Sequence, residues 1–259
     1  MSQPISLSKA KAKHLAELLQ KKHRQSRREF LVEGKRICNE LLTSAETVRL
    51  LIIHEKIFST SYGQEIMSIA QEKKIEICLA SENKIAKITE TKTPQPIVAL
   101  VQQKSHDLAP DFRDGNRFLV LVDISDPGNL GTLFRTAEAF SWNNIICTGN
   151  TVEIYNPKVV RASMGAIFRL KIACIGIDVL MSFFEYTNVP YFITVPEKGE
   201  APPYHFDQKK YALLLGNEGH GLPEDLKHKA SKSLRLPMSS YVESLNVAVA
   251  GGILMHLLR

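Results

Sequence analysis

The chain has 259 residues, 44% of them hydrophobic and 23% charged, a composition typical of a folded protein with one large or two modest domains. It contains no run of about 18 uncharged apolar residues, and its amphipathic, basic start lacks the apolar core of a secretory signal. These features argue against a membrane-spanning or secreted protein. We expect a cytoplasmic location, with an organelle-transit role of the first residues as the alternative.

The cysteines argue against a metal site and against a disulfide framework. They are far apart and form no Cys-x-x-Cys or Cys/His cluster: Cys38, Cys78, Cys147 and Cys174. We therefore expect no metal and a reducing compartment.

The net charge of +6 is a property of the N-terminal segment. Residues 1–36 hold ten Lys or Arg and three Glu, so that 10 − 3 = +7. A solvated basic helix is one interpretation, and a footprint for a polyanion is the other. Nucleic acid is favoured over a membrane surface because large aromatic anchors are missing there. The expected RNA contacts are Lys21, Lys22, Arg24, Arg27, Arg28 and Lys35.

Strands and helices alternate through about residue 103. Helical spacing of apolar residues predicts helices at 7–20, 37–42, 64–72 and 82–88, and short apolar runs predict strands at 30–32, 49–53, 75–79 and 97–101. This order is typical of a small α/β domain, so we assign residues 1–103 to a basic N-terminal helix and such a domain. The polar segment 104–116, with Pro110, Asp111 and Gly115, is predicted to be a linker.

A second alternation fills residues 117–259. Apolar runs predict six strands, at 118–122, 145–147, 171–175, 191–195 (ended by Pro196), 211–215 and 234–236. Helices are predicted at 130–140, 157–168, 178–186 and from Ser244 onward. Strands joined by helices predict a mostly parallel sheet covered on both faces. The first turn lacks GxGxxG, which disfavours a dehydrogenase-type nucleotide domain.

A glycine-rich turn, GNEGHG (216–221), follows the predicted strand 211–215. Gly216, Gly219 and Gly221 allow a tight turn and close approach to a ligand at the carboxyl edge of the sheet, although ordinary α/β loops also carry such clusters. A phosphate-loop hydrolase is disfavoured because the turn lacks Lys-Ser/Thr. Polar residues in neighbouring stretches strengthen the site interpretation: Asn129, Arg135, Glu218, Ser244 and Asn246.

Three stretches, in this order, resemble the SpoU/TrmH branch of the SPOUT-class RNA 2′-O-ribose methyltransferases. They are DISDPGNLGTLFRTA (123–137), LLLGNEGHGL (213–222) and LRLPMSSYVESLNVAVA (234–250), and VVRASMGAIFRL (159–170) resembles the intervening helix. The resemblance covers residues 118–259. More loosely, FLVEGKRICNELL resembles the small substrate-binding domain that often precedes this catalytic domain.

The resemblance implies a C-terminal SPOUT-type α/β domain with a deep trefoil knot, a rare exception to unknotted topology. It implies S-adenosylmethionine bound in that knot, and a homodimer whose substrate site borrows residues from the partner subunit. The expected cofactor-binding residues are Gly216, Leu236, Leu245, Thr194 and Met238. The expected reaction is methylation of a ribose 2′-hydroxyl in structured RNA, with ribosomal RNA favoured over transfer RNA.

The resemblance also suggests roles for the polar residues. Arg135 is expected to anchor substrate phosphate and stabilise alkoxide charge, because a guanidinium holds its proton too firmly to serve readily as a base. Asn129 binds substrate, fixes its loop or caps a helix, and Glu218 orients the loop, Asn246 or a basic partner. Ser244 caps the last helix or contacts substrate. The acceptor of the hydroxyl proton stays open.

Three alternatives remain at the level of sequence. One is a transfer RNA 2′-O-methyltransferase, and another is a non-catalytic RNA-binding or ribosome-assembly factor with the same fold. The third concerns the apolar last helix, residues 247–258, which packs either inside its own domain or against a second copy.

Overall fold

The computed structural model describes residues 5–109, 112, 114–195, 199–203 and 208–259. Pro110 and Asp111 of the predicted linker, and Pro196, lie outside the described residues. The chain forms two compact units. Unit 1 comprises Met1–Lys104 and Tyr155–Phe168, and unit 2 comprises Ser105–Ile154 and Arg169–Arg259.

Unit 1 contains a five-stranded mixed sheet with the strand order β1-β4-β3-β5-β2. The strands are β1 (Ile5–Ser6), β2 (Glu29–Glu33), β3 (Val48–His54), β4 (Glu76–Ala80) and β5 (Ile97–Gln102). The first three in spatial order run parallel, and β5 runs antiparallel to both of its neighbours. The helices are α1 (Lys9–Glu17), α2 (Lys21–Arg27), α3 (Lys35–Thr43), α4 (Glu55–Phe58), α5 (Ser61–Glu72) and α6 (Glu82–Ala86).

The basic N-terminal segment forms two helices rather than the single helix predicted at 7–20. Leu15 and Leu18 are buried in the core of unit 1, with Ile52 and Val98 of the sheet. The chain leaves α1 after Glu17, and α2 ends where Arg28 adopts the left-handed conformation, with φ 54°. Apolar spacing located the buried face but did not reveal this break, because residues 18–20 continue the same pattern.

Unit 2 contains a six-stranded sheet with the order β11-β9-β10-β6-β7-β8, and all five pairings are parallel. The strands are β6 (Arg117–Val122), β7 (Asn144–Thr148), β8 (Lys171–Ile175), β9 (Tyr191–Thr194), β10 (Tyr211–Leu215) and β11 (Lys232–Leu234). The central strand β10 is buried along its whole length, as expected for a strand with neighbours on both sides and helices above and below. The predicted mostly parallel α/β sheet is confirmed.

The helices of the second alternation are α7 (Pro127–Ala139), α8 (Pro157–Ser163), α9 (Ile177–Thr187), α10 (Glu224–His228) and α11 (Val247–Leu257). The α8 helix belongs to unit 1, where it packs against β2. The helix predicted at 157–168 stops at Ser163 because Met164 and Gly165 both take positive φ, and a short 3-10 turn, Ala166–Phe168, follows.

Two further boundaries near the C-terminus differ from the prediction. The last strand lies at Lys232–Leu234 rather than at 234–236. The last helix begins at Val247 rather than Ser244, because Asn246 caps it by accepting from the backbone N–H groups of Ala248 and Val249.

The end of α11 is anchored in unit 2 by buried side-chain donors. Trp142 donates its indole N–H to the carbonyl of Met255 at 3.0 Å, and the Tyr211 hydroxyl donates to the carbonyl of Leu258. These bonds satisfy carbonyls that a helix end leaves without an intrahelical partner. Within the described residues, no helix is both long and apolar enough to cross a membrane.

Candidate functional site

The carboxyl ends of parallel strands meet at one edge of the sheet in unit 2, and a cavity of about 490 Å³ opens there. Its walls come from the loops after β9, β10 and β11 and from α11. They include the five residues that the sequence assigns to cofactor binding: Thr194, Gly216, Leu236, Met238 and Leu245. Glu218 and Ser244 line the same cavity. The volume lies in the range typical of small-molecule and cofactor sites.

The GNEGHG turn is closed by its own backbone. The N–H of Asn217 donates to the carbonyl of Gly221 at 3.0 Å, and the N–H of Gly221 donates back at 2.9 Å. This closure brings the two strands of the turn so near that a Cβ on Gly216 would lie 2.5 Å from the carbonyl of Gly221. Position 216 therefore requires glycine for close approach of backbone to backbone.

Three motif side chains are joined in a hydrogen-bonded chain beside the cavity. Asn129 donates from Nδ2 to Glu218 Oε1 at 2.7 Å, and Asn246 donates from Nδ2 to Asn129 Oδ1 at 2.9 Å. Asn129 is not the cap of α7, since Asp126 accepts from the N–H of Asn129 at 2.8 Å. The Glu218 carboxylate thus has an oriented amide donor.

The same chain lies at the N-terminal ends of two helices. Asn129 is in the first turn of α7, and Asn246 is the residue that caps α11. Helix N-termini carry partial positive charge, which favours a carboxylate nearby. The position of Glu218 is therefore supported by hydrogen bonding and by the two helix dipoles together.

Arg135 is exposed on α7, six residues beyond Asn129, and is not part of the cavity wall. Six residues correspond to about 240° of helical rotation, so the two side chains leave α7 in different directions. Arg135 makes no hydrogen bond or ion pair with the described residues. Within a single protomer, the structure does not bring Arg135 together with the hydrogen-bonded side chains of Glu218, Asn129 and Asn246.

Several residues of the cavity wall were missed from the sequence. Asn217 and His220 line it, and their place inside GNEGHG was the available signal. Lys227 lines it as well and donates to Glu224 at 2.7 Å, which lowers the pKa of that carboxyl. No sequence signal singled out Lys227.

The predicted RNA contacts of unit 1 divide into three kinds. Lys21, Lys22, Arg28 and Lys35 are exposed, and the ammonium of Lys35 lies 5.1 Å from the ring centre of Tyr62. Arg27 is half-buried, pairs with Glu17, and donates to the carbonyl of His14 at 3.1 Å.

Arg24 is a correction to the predicted set. Its side chain is buried, and its guanidinium donates at 2.8 Å to the carbonyls of both Leu18 and Leu19, just beyond α1. These carbonyls need donors because the helix has ended. Arg24 therefore holds the α1–α2 turn together instead of presenting its charge to RNA.

The described part of the chain contains no group of three or more His, Cys, Asp or Glu side chains that could hold a metal ion.

Comparison with known proteins identifies the family. Residues 116–256 match the SpoU rRNA Methylase family, and residues 9–99 match the MRM3-like substrate binding domain. The chain belongs to the SpoU rRNA methylase family. It is 30% identical over 260 residues, covering 100% of both chains, to 23S rRNA (guanosine(2553)-2′-O)-methyltransferase RlmP of Bacillus subtilis (strain 168).

Two further relatives support this membership of the SpoU family. A 23S rRNA (uridine(2479)-2′-O)-methyltransferase of Streptomyces viridochromogenes is 27% identical, covering 88% of this chain and 81% of its own. The crystal structure of an AdoMet-bound rRNA methyltransferase from Sinorhizobium meliloti superimposes with a TM-score of 0.87 at 28% identity, over 98% of this chain and 96% of that one. The family, the methyltransferase class and S-adenosylmethionine as cofactor, all predicted from the sequence, are confirmed.

The cavity of this SpoU family member fits that cofactor. Leu236, Met238 and Leu245 give the cavity apolar surface and the backbone of the GNEGHG turn adds polar groups, a combination that would suit an adenine ring and its polar edge. The Glu218 carboxylate, on the same wall, has the charge opposite to that of a sulfonium.

Proposed function

We propose that this protein methylates a ribose 2′-hydroxyl of ribosomal RNA. One observation supports this proposal above all. A cofactor-sized cavity and the hydrogen-bonded side chains of Glu218, Asn129 and Asn246 lie together at one edge of the sheet. The whole-length similarity to a relative named as a 23S rRNA 2′-O-methyltransferase supports ribosomal RNA over transfer RNA.

Methyl transfer to a ribose hydroxyl requires mainly that the two reactants be correctly oriented. S-adenosylmethionine supplies a methyl group that its positively charged sulfur has already activated. The ribose oxygen forms a bond to the methyl carbon as the carbon–sulfur bond breaks, and the hydroxyl proton leaves to an acceptor. Holding the two reactants in line supplies up to roughly 7–11 kcal/mol of the barrier reduction in favourable cases.

Each polar residue then has a task in this proposal. Glu218 and Asn129 fix the loop against the cavity, and Ser244, which is exposed on the cavity wall, contacts the substrate. Arg135 anchors an RNA phosphate and stabilises charge that develops on the ribose oxygen. Its exposure on α7 leaves it accessible to RNA.

We propose that the active form is a homodimer. Val249 and Ile253 of α11 are 52% and 40% exposed, and Tyr241, Val242 and Leu245 form exposed apolar surface just before the helix. Val249 and Ile253 are four residues apart and lie on one helix face. A second copy seated on this face would bring its own side chains near the cavity, consistent with Arg135 not lining the cavity of its own chain.

Unit 1 is proposed to grip structured RNA through its basic surface. Exposed Lys21, Lys22, Arg28 and Lys35 supply the charge, and Arg27 contributes what its pairing with Glu17 leaves accessible. The match of residues 9–99 to a substrate-binding domain supports this assignment.

The organisation proposed for the chain is residues 1–103 for RNA binding, 104–116 as linker and 117–259 for catalysis. The two family matches, at 9–99 and 116–256, support this division. A deep trefoil knot in the catalytic part and a cytoplasmic location, where ribosomal RNA is available to an enzyme of this kind, complete the proposal.

The test is ribose-methylation mapping of total RNA from a strain that lacks the gene, complemented with the wild type or with Arg135→Ala. We expect one 2′-O-methyl mark in ribosomal RNA to vanish and only the wild type to restore it. Loss of a transfer RNA mark instead would reassign the substrate. If no mark changes, the non-catalytic RNA-binding factor becomes the better description, and full restoration by Arg135→Ala would remove Arg135 from the mechanism.

A further inference from the structure

Three neighbouring strands of unit 2 are followed by loops that meet at Asp123. This residue directly follows β6 and takes a left-handed conformation with φ 55°, which is uncommon for a residue with a side chain. Its Oδ1 accepts from the N–H of Asn150, in the loop after β7. Gly149 beside it has φ 65°, and a Cβ there would collide with the Asp123 carboxylate. The main chain at Asp123 is therefore held in a fixed orientation.

The third loop is attached to the same point by Asn217. Its Nδ2 donates to the main-chain carbonyl of Asp123 at 2.9 Å. Its Oδ1 accepts from the N–H groups of Gly219 at 2.8 Å and His220 at 3.1 Å. The Asn217 amide thus makes two kinds of hydrogen bond. Its oxygen accepts inside the GNEGHG turn, and its nitrogen donates to the end of the β6 segment and so attaches the turn to it.

The residue after Asn217 is Glu218, which accepts the hydrogen bond from Asn129. The turn that carries Glu218 is exposed to solvent on its outer side. Its orientation toward α7 therefore depends on how the turn is fastened to the sheet. Asn129 is on the α7 side of the β6–α7 loop, and Asp123 is at its start, so the tie from Asn217 fixes both partners of the Glu218–Asn129 bond against one another.

We propose that Asn217 is a positioning residue for methyl transfer, acting through Glu218 and anchored on the carbonyl of Asp123. This inference rests on the proposed function, because its kinetic readout is methylation. It does not require Asn217 to touch the reacting atoms. The amide nitrogen of Asn217 sets the rate of turnover, whereas its amide oxygen stabilises the interior of the turn for cofactor binding.

The substitution Asn217→Asp separates these two jobs. A carboxylate keeps the acceptor for the N–H groups of Gly219 and His220 but has no N–H to donate to Asp123. Asn188→Asp is the matched control, since Asn188 is exposed at the end of α9 and the change in charge is the same. Circular dichroism melting verifies that the variants are folded, and Asn217→Ser replaces Asn217→Asp if the latter does not fold.

The kinetic arm uses ribosomal RNA purified from the strain lacking the gene and radiolabelled S-adenosylmethionine. We expect Asn217→Asp to lower kcat about tenfold, the effect of one lost hydrogen bond at a partly buried acceptor, with the cofactor Kd changed less than about threefold. In a Glu218→Ala background the same substitution is expected to lower kcat less than about twofold, because the residue through which it acts is gone. Equal losses in both backgrounds would overturn the proposal.

A second arm needs no activity. The side-chain amide protons of Asn129, followed by NMR, are expected to exchange slowly in the wild type and in Asn188→Asp, and faster in Asn217→Asp. Unchanged exchange in Asn217→Asp would contradict the positioning role. If the wild type itself methylates no ribosomal RNA, the proposed function fails, and the NMR arm still decides whether Asn217 holds Glu218 against Asn129.

Discussion

At the scale of single residues, Asn246 performs two jobs with the two ends of one amide. Its Oδ1 caps α11 by accepting from Ala248 and Val249, and its Nδ2 donates to Asn129. The first is a contribution to stability and the second to the geometry of the candidate site. A substitution that keeps one and removes the other can therefore distinguish them.

We expect Asn246→Asp to retain the stability of the protein and to lose methyl transfer, because aspartate caps helices as well as asparagine but cannot donate to Asn129. Asn246→Ala is expected to lose both, with unfolding easier by about 1 kcal/mol. Denaturant unfolding and methylation of ribosomal RNA measure the two effects. Full activity of Asn246→Asp would show that the bond to Asn129 does not matter for turnover.

The motifs selected polar residues for the candidate site but did not show which of them are hydrogen-bonded to one another. Glu218, Asn129 and Asn246 were selected from motifs, and their mutual bonds became visible only in three dimensions. Arg24 failed for a related reason. A count of basic residues cannot show that the guanidinium of one of them, Arg24, donates to the carbonyls of Leu18 and Leu19.

At the scale of elements, strongly apolar strands were predictable and the ends of helices were not. The run at β6 was predicted as a buried strand because every residue from Phe118 to Val122 is apolar, and in the structure all five are fully buried. The start of α11 depended on which of two polar residues caps it, Ser244 or Asn246, and sequence pattern alone does not decide between them. The break after Ser163 depended on Met164 adopting a left-handed conformation, which is rare for methionine.

The GNEGHG turn leads to a prediction at this scale. Gly216→Ala is expected to open the turn, because its Cβ would meet the backbone of Gly221 at 2.5 Å and of Leu222 at 2.8 Å, and backbone cannot rotate away. Cofactor affinity, measured by calorimetric titration with S-adenosylmethionine, should fall by at least about tenfold, since several walls of the cavity belong to this turn.

Gly176→Ala serves as the comparison for that substitution. Gly176 precedes α9, its φ is −68°, and a Cβ there would meet nothing within 4 Å. We expect its cofactor affinity to match the wild type. An equal loss in both variants would mean that the effect of Gly216→Ala is general destabilisation and not closure of the turn.

At the scale of the whole molecule, composition and alternation predicted an α/β protein with a parallel sheet, and the three motifs predicted its family. Two features of the organisation had no signal in the pattern. Tyr155–Phe168 groups with unit 1 although the chain on both sides of it belongs to unit 2. The ring of Tyr155 lies 4.2 Å from that of Phe30, a long-range contact that local spacing cannot encode.

The exposed face of α11 gives the last prediction, which concerns assembly. An apolar helix is stable in water when its apolar faces are covered, and Val249 and Ile253 are left uncovered within one chain. We expect a homodimer of about 58 kDa by light scattering, twice the 29.1 kDa of one chain.

The paired substitution Val249→Glu with Ile253→Glu should yield folded monomers, because burying two carboxylates at an interface without partners is costly. Val179→Glu, at a residue 48% exposed on α9, is the matched control and should remain dimeric. Methylation is expected to fall with the dimer fraction, as a site completed by the second copy requires. A fully active monomer would leave the dimer without a catalytic role, and a dimer that survives both charges would place the interface elsewhere.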